Sequence, residues 1–319
     1  MESKMALKEE EDPEVEELQE KILELKRTKN TLVLVHNYQR PEIQEVADYI
    51  GSSLQLCWRA SESQDINSIL FCGVDFMAES AAILNPDKTV LIPDKNAKCP
   101  MAAMLPAEKV VEAKKRHPDA EVVLYVNTLA EAKAEADVMC TSSNAAKIVS
   151  KLDSKKILFG PDWNLAWHTQ RHNPEKEIIT IPDKGYCYVH KLYFGEEVLM
   201  RKRKHPDAEL LVHPECDPHL QLKADFIGST GQILNHCHQS NSKEYIIATE
   251  TGLIHRLKKE LPDKRCIPAM EESVCRQMKL HTLEKVYQSL KKKKHIVKVP
   301  RDIADKARRG IQRMLELSA

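Results

Sequence analysis

The chain has 319 residues, 42% of them hydrophobic, and its 48 Lys and Arg balance 48 Asp and Glu. That balance leaves no overall field to draw nucleic acid or an anionic membrane surface, so neither is an expected partner. No apolar run approaches the ~18 residues of a membrane span. The acidic, amphipathic start MESKMALKEEEDPEVEELQEK lacks the apolar core of a secretory signal, and together with nine cysteines this points to reduced thiols in the cytoplasm.

Along the chain, a first helix is expected at about residues 13–28, within an N-terminal segment 1–30. TLVLVHNY then reads as a strand, PEIQEVA as a helix, DYIGSS as a short strand, LQLCWRAS as a helix, SILFCG as a strand, MAESAAIL as a helix and TVLIP as a strand, before Cys99. The same order returns from EVVLYVN through TLAEAKAEA, ADVMCTSSN, NAAKIVSKL, KKILFG, NLAWHTQ and EIITIP to Cys187. It returns again from ELLVHPEC through HLQLKA, DFIGST, GQILNHC, EYIIAT, GLIHRLKKE and KRCIP to Cys275. A helical segment, RDIADKARRGIQRMLEL, ends the chain.

The likeness is a repeat. Cys99, Cys187 and Cys275 stand 88 residues apart, and the string HPDAE recurs at the same interval, at 117–121 and 205–209. Internal periodicity outranks other signals because it dictates the architecture. The expected fold is α/β: three homologous small parallel-sheet lobes, each a three-layer αβα unit, arranged pseudo-threefold around a central cavity. Their bounds are 31–106, 107–194 and 195–283, followed by a C-terminal helical segment 284–319. No Gly/Ser linker separates them, so they should pack closely.

Open parallel sheets bind ligands at the carboxyl ends of their strands. At the end of the first strand of each lobe stand His36, Tyr125 and His213; two residues on, and on the same side, stand Tyr38, Asn127 and Glu215. At the second strand end come Ser53, Ser142 and Thr230, each at a helix start, where they serve as N-caps or as part of an anion site. At the third come Asp75, Asp162 and Glu250, read first as caps or braces between lobes. The fourth strand leads to the cysteine. Tyr38 and Glu215 are candidate general acid/base groups, and His36 and His213 candidates to join them.

Three thiolates from three lobes suit a soft metal centre with one position left open. Spacing alone leaves an iron–sulfur cluster and zinc both standing. Cys57, Cys72, Cys140 and Cys237 lie in apolar stretches and read as small core hydrophobes. Cys216 and Cys266 lack repeat counterparts and are not counted as ligands, the pair His236 and His238 reads as surface or interface, and KKKKH at 291–295 as a solvated helix end.

The blocks HNYQRPEIQ, ADYIGSSL, FCGVDFMAES, CTSSNA, GYCYVH, VHPEC, ADFIGSTGQI and TETGLIHRL, spread between about Val33 and Leu290, resemble the quinolinate synthase family. The resemblance implies three α/β lobes around a cavity and an oxygen-sensitive 4Fe-4S cluster, one per chain, on Cys99, Cys187 and Cys275. It implies condensation of iminoaspartate with dihydroxyacetone phosphate to quinolinate, phosphate and water, in de novo NAD biosynthesis. It assigns His36, Tyr38, Tyr125, Asn127, His213, Glu215 and Thr230, with Ser53 and Ser142, to substrate handling, and implies transient contact with the enzyme that supplies iminoaspartate. Two departures stand out. Asn37 replaces the second residue of the family's usual HYYQ and should point away from His36 and Tyr38, and Ser52 stands where aspartate is usual. The extra cysteine pair that some members carry near the last cluster ligand is absent. The competing readings are a three-cysteine zinc-binding scaffold and another iron–sulfur hydro-lyase.

Overall fold

A computed structural model describes residues 12–62 and 65–318; the acidic stretch 1–11 lies outside the described residues. Helix α1 (Pro13–Thr28) starts at Asp12, whose side chain accepts the Glu14 amide at 3.1 Å. The first lobe follows with β1 (Thr31–His36), α2 (Pro41–Gln44), β2 (Tyr49–Gly51), α3 (Ser53–Glu62), β3 (Ser68–Cys72), α4 (Asp75–Leu84), β4 (Thr89–Leu91) and α5 (Pro100–Ala103). The second holds α6 (Ala107–Arg116), β5 (Glu121–Tyr125), α7 (Ala130–Lys133), β6 (Val138–Cys140), α8 (Ala145–Ser150), β7 (Lys156–Gly160), α9 (Trp163–His172) and β8 (Glu177–Thr180). The third holds α10 (Gly195–Lys204), β9 (Glu209–Val212), α11 (Pro218–Gln221), β10 (Phe226–Ile227), α12 (Thr230–Gln239), β11 (Glu244–Ala248), α13 (Gly252–Glu260) and β12 (Arg265–Pro268). Two further helices, α14 (Leu283–Lys292) and α15 (Arg301–Ser318), complete the described chain. No helix among the described residues is long and apolar enough to cross a membrane.

The described residues form three four-stranded parallel sheets with one topology, β2-β1-β3-β4, β6-β5-β7-β8 and β10-β9-β11-β12. The first strand of each lobe lies inside its sheet, and its apolar residues face both ways. Val33 and Val35 pack with Ile22, Ile43, Val286 and Leu290 on one side, while Leu34 packs with Leu56, Ile69 and Phe71 on the other. Covered on both faces, such strands read as continuous apolar runs instead of an alternation. The short outer strand is pinned by an aspartate in every lobe. Asp48 takes the Val33 amide at 2.8 Å, Asp137 the Val122 amide at 2.8 Å and Asp225 the Leu210 amide at 2.7 Å.

The lobes close into a ring through three equivalent side chains. Gln44 donates to its own loop at Gln39 O (2.9 Å) and across to Gly252 O of the third lobe (3.1 Å). Lys133 donates to Thr128 O and across to Phe76 O of the first lobe (3.2 Å). Gln221 donates to Pro214 O (2.9 Å) and Cys216 O (2.8 Å), and across to Asn164 O of the second lobe (3.5 Å). All three are buried. First binds third, second binds first and third binds second, which is the pseudo-threefold arrangement expected from the repeat. A ten-residue helix beyond each cysteine also passes to the next lobe: α6 packs on α7, Val198 of α10 on Leu210 and Leu220, and α14 on α2 and β3 of the first lobe. Helix α15 lies against β6, α7 and α4. The lysine run ends α14 as an exposed turn, with Lys293 left-handed at φ 48°.

Each ring donor binds carbonyls of two lobes, and leaving a buried polar group orphaned costs roughly 1–3 kcal/mol. Gln221→Ala should therefore lower the denaturant midpoint by about that stability, with an unchanged m-value. An unmoved midpoint would show that the ring bonds contribute nothing.

Candidate active site

One cavity opens where the three sheets end, and all twelve residues singled out from the sequence line it. They are His36, Tyr38, Ser53 and Cys99 from the first lobe, Tyr125, Asn127, Ser142 and Cys187 from the second, and His213, Glu215, Thr230 and Cys275 from the third. Local backbone explains the convergence. Strand β1 ends at His36, β5 at Tyr125 and β9 one residue before His213, so each carboxyl end delivers an equivalent pair of side chains to the axis.

Glu215 is the hub. Its Oε1 accepts the Tyr125 hydroxyl at 2.7 Å and the Asn127 amide at 3.4 Å, and its Oε2 lies 2.7 Å from His190 Nδ1, off the straight line of an N–H bond. Burial pushes the carboxyl up, but His190, His213 and the Tyr125 hydroxyl outweigh it and hold Glu215 down at about 2. The same burial, reinforced by the Glu215 charge, pushes Tyr125 and Tyr38 well above the usual phenol value. At neutral pH the cavity thus holds an ionised carboxylate beside two protonated phenols.

His36 and His213 share one device. His36 Nδ1 accepts the amide of Tyr38 (3.2 Å) and His213 Nδ1 that of Glu215 (3.3 Å), which leaves the proton of each neutral ring on Nε2. Burial pushes both rings down to about 3. They are neutral donors, not cations.

Two functional residues escaped the sequence reading. Tyr38 Oη lies 2.5 Å from Thr249 Oγ1, and Thr249 Oγ1 lies 3.0 Å from His190 Nε2. With Glu215 beside Nδ1, this makes a continuous polar path from the first lobe to the third. His190 was detectable: the repeat places Ala102 and Met278 at its equivalents, so it is the one polar ring among three matched positions. Thr249 carried no such signal, because a strand-end threonine is ordinary.

The hydroxyl set differs in detail from expectation. Ser53 and Thr230 are the first residues of α3 and α12, but the N-cap of α12 is Ser229, which forms a capping box with Gln232. Ser142 lies three residues before α8, whose N-cap position is Asn144. None of the three is therefore consumed as a cap. Asn37 is buried and points away from the cavity as expected, yet its Nδ2 donates to Thr230 Oγ1 at 2.8 Å. Ser52 lines the cavity beside Ser53. Cys57, Cys72, Cys140, Cys216, Cys237 and Cys266 are buried and free, and His236 and His238 pair with Glu209 (2.5 Å) and Glu260 (2.9 Å).

The three repeat cysteines are free and half-buried, and burial raises their thiols. A single tetrahedral ion holds its thiolates about 3.8 Å apart, as follows from its ~2.3 Å bonds. Among the described residues the group that gathers three ligand atoms within 4.8 Å is Cys187, His190 and Glu215, not the three cysteines. The three cysteines line the same cavity, one from each lobe.

The family model for quinolinate synthetase A protein matches residues 20–316. Quinolinate synthase of Methanothermobacter thermautotrophicus is 55% identical over 302 residues, covering 95% of this chain and 99% of that protein. The enzyme of Pyrococcus abyssi is 52% identical over 300 residues, covering 94% and 99%. That of Pyrococcus furiosus is 51% identical over 304 residues, covering 95% and 99%.

The depressed histidines carry a pH signature. Stability gained by keeping His36 and His213 neutral is complete above the unfolded-chain value of about 6.5 and is lost as pH falls through it toward 3. In metal-free protein, His213→Gln should show a shallower fall of melting temperature than wild type between pH 7 and 4. Parallel curves would mean that the ring is not held neutral.

Proposed function

The chain belongs to the quinolinate synthetase A family, and we propose that its cavity condenses iminoaspartate with dihydroxyacetone phosphate to quinolinate, phosphate and water, in the cytoplasm and in service of NAD biosynthesis. One observation carries the reading: three thiols, two protonated phenols, an ionised carboxylate and two neutral imidazoles, drawn from all three lobes, line one cavity.

Cys99, Cys187 and Cys275 would hold a 4Fe-4S cluster, which when bound supplies an iron without a protein ligand, a Lewis acid for a carboxylate or hydroxyl oxygen. The protein's own groups do the rest. His36 and His213 offer Nε2–H donors, and Ser53, Ser142 and Thr230 offer hydroxyls, to the carboxylates and phosphate of the two substrates. Asn127 orients, sharing Glu215 with Tyr125. Glu215, ionised, accepts a proton; Tyr125, hydrogen-bonded to it, and Tyr38 hold protons that leave from Oη. Thr249 and His190 stand behind Tyr38 to replace its proton from within the protein. Walls drawn from three packed lobes keep water from an imine that hydrolyses readily. A brief encounter with the enzyme that makes iminoaspartate serves the same end.

Anaerobic purification with a visible spectrum and iron and sulfide analysis tests the cofactor. A brown protein with about four irons is expected, lost in Cys187→Ser. Colourless protein that binds zinc would establish the scaffold reading in its place. In a quinolinate assay, Glu215→Gln and Tyr38→Phe should each lower kcat by about 10²–10⁴ while retaining the cluster. Near wild-type turnover in both would remove these groups from the proton chemistry.

A further inference from the structure

We propose that Asp75 and Glu250 are positioning residues for Cys99 and Cys275, each fastening the loop that carries its cysteine to the third-strand turn of its own lobe. The inference rests on the cluster reading above. It starts from a backbone bond that repeats in all lobes at the 88-residue interval. The amide of Asp75 donates to Ala97 O (2.8 Å), that of Trp163 to Gly185 O (2.9 Å) and that of Thr251 to Ser273 O (3.1 Å). Each acceptor stands two residues before a cysteine.

The acid supplies the second point of attachment, on the cysteine itself. Asp75 Oδ1 accepts the Cys99 amide at 3.0 Å together with the Phe76 amide at 2.9 Å. Glu250 Oε1 accepts the Cys275 amide at 3.0 Å, its Oε2 takes the Gly252 amide at 2.7 Å, and Lys279 Nζ pairs with Oε1 at 3.0 Å. Asp162 differs: its Oδ1 accepts the Leu165 amide at 2.7 Å as the N-cap of α9, and its Oδ2 is buried without a hydrogen bond. Asp75 sits one residue later in the repeat than Glu250, and Glu250 is one methylene longer, yet both carboxylates accept the amide of their lobe's cysteine.

Capping does not account for this. Serine, threonine or asparagine caps a helix without charge, whereas a carboxylate beside sulfurs destined to become thiolates is electrostatically unfavourable. In the first and third lobes the acid grips two amides at once, one at the helix start and one of the ligand. Two of the three loops, held at two points each, present their sulfurs at set positions before any metal arrives, as outer groups do for other metal ligands.

The oxygen count separates the variants. Asp75 uses a single oxygen for both amides, so Asp75→Asn can keep both bonds through its carbonyl; Glu250 uses both oxygens, so Glu250→Gln loses one. After anaerobic reconstitution, iron content and the half-time of bleaching by a chelator are compared with the melting temperature of each metal-free variant. Asp75→Ala and Glu250→Ala should bleach at least about tenfold faster than wild type. Asp75→Asn should stay within about twofold, and Glu250→Gln should fall between. A general loss of structure would lower melting temperature without this ranking by oxygen count. Wild-type bleaching in Asp75→Ala, or Asp75→Asn as labile as Asp75→Ala, overturns the positioning role alone. A wild-type chain that takes up no cluster overturns the cofactor reading and this inference with it.

Discussion

The constraint on which the site depends is the burial of one ionised carboxylate. Glu215 is 3% exposed, and an unpaired charge there would cost several kcal/mol. Its partners come from the second lobe and from the connection that follows it: the Tyr125 hydroxyl, the Asn127 amide and the His190 ring. Its own carbonyl oxygen takes the Asn164 amide at 2.8 Å. Satisfying that charge therefore docks the second lobe onto the third and sets the direction of every polar group around it. The raised phenols and the depressed imidazoles follow from the same dry, negatively charged pocket.

The scaffold and the chemistry obey different symmetries. Where the repeat serves the fold, equivalent positions do the same work in every lobe. Asp48, Asp137 and Asp225 pin the outer strands, and Gln44, Lys133 and Gln221 close the ring. Lysine replaces glutamine at one ring position without altering the bond, because both place a donor at the same reach. Around the cavity the equivalents diverge, as in His36, Tyr125 and His213 or Tyr38, Asn127 and Glu215. A threefold cage offers identical places, and two unlike substrates require different groups in them.

Much was legible because local signals and the repeat agreed. Apolar runs marked β1, β5 and β9, and the helix expected at about residues 13–28 is α1. Alignment of the thirds picked out cavity residues spread from His36 to Cys275 without any knowledge of contacts. The illegible parts were contacts between lobes at positions that look ordinary in sequence. Thr249 is a plain strand-end threonine until Tyr38 and His190 arrive from elsewhere. Asn37 lies off the cavity side, as strand alternation requires, yet it steadies Thr230 across the first and third lobes.

By itself the sequence determined the α/β repeat, its three thiols and the groups at its strand ends, since period and register are properties of the chain alone. Tertiary structure decided the strand order, the passing of a helix beyond each cysteine to the next lobe, the ionised state of Glu215 and the neutral state of His36 and His213. The physical reason is common to all of these. Burial, charge compensation and through-space distance arise only when segments distant in sequence are packed around one axis.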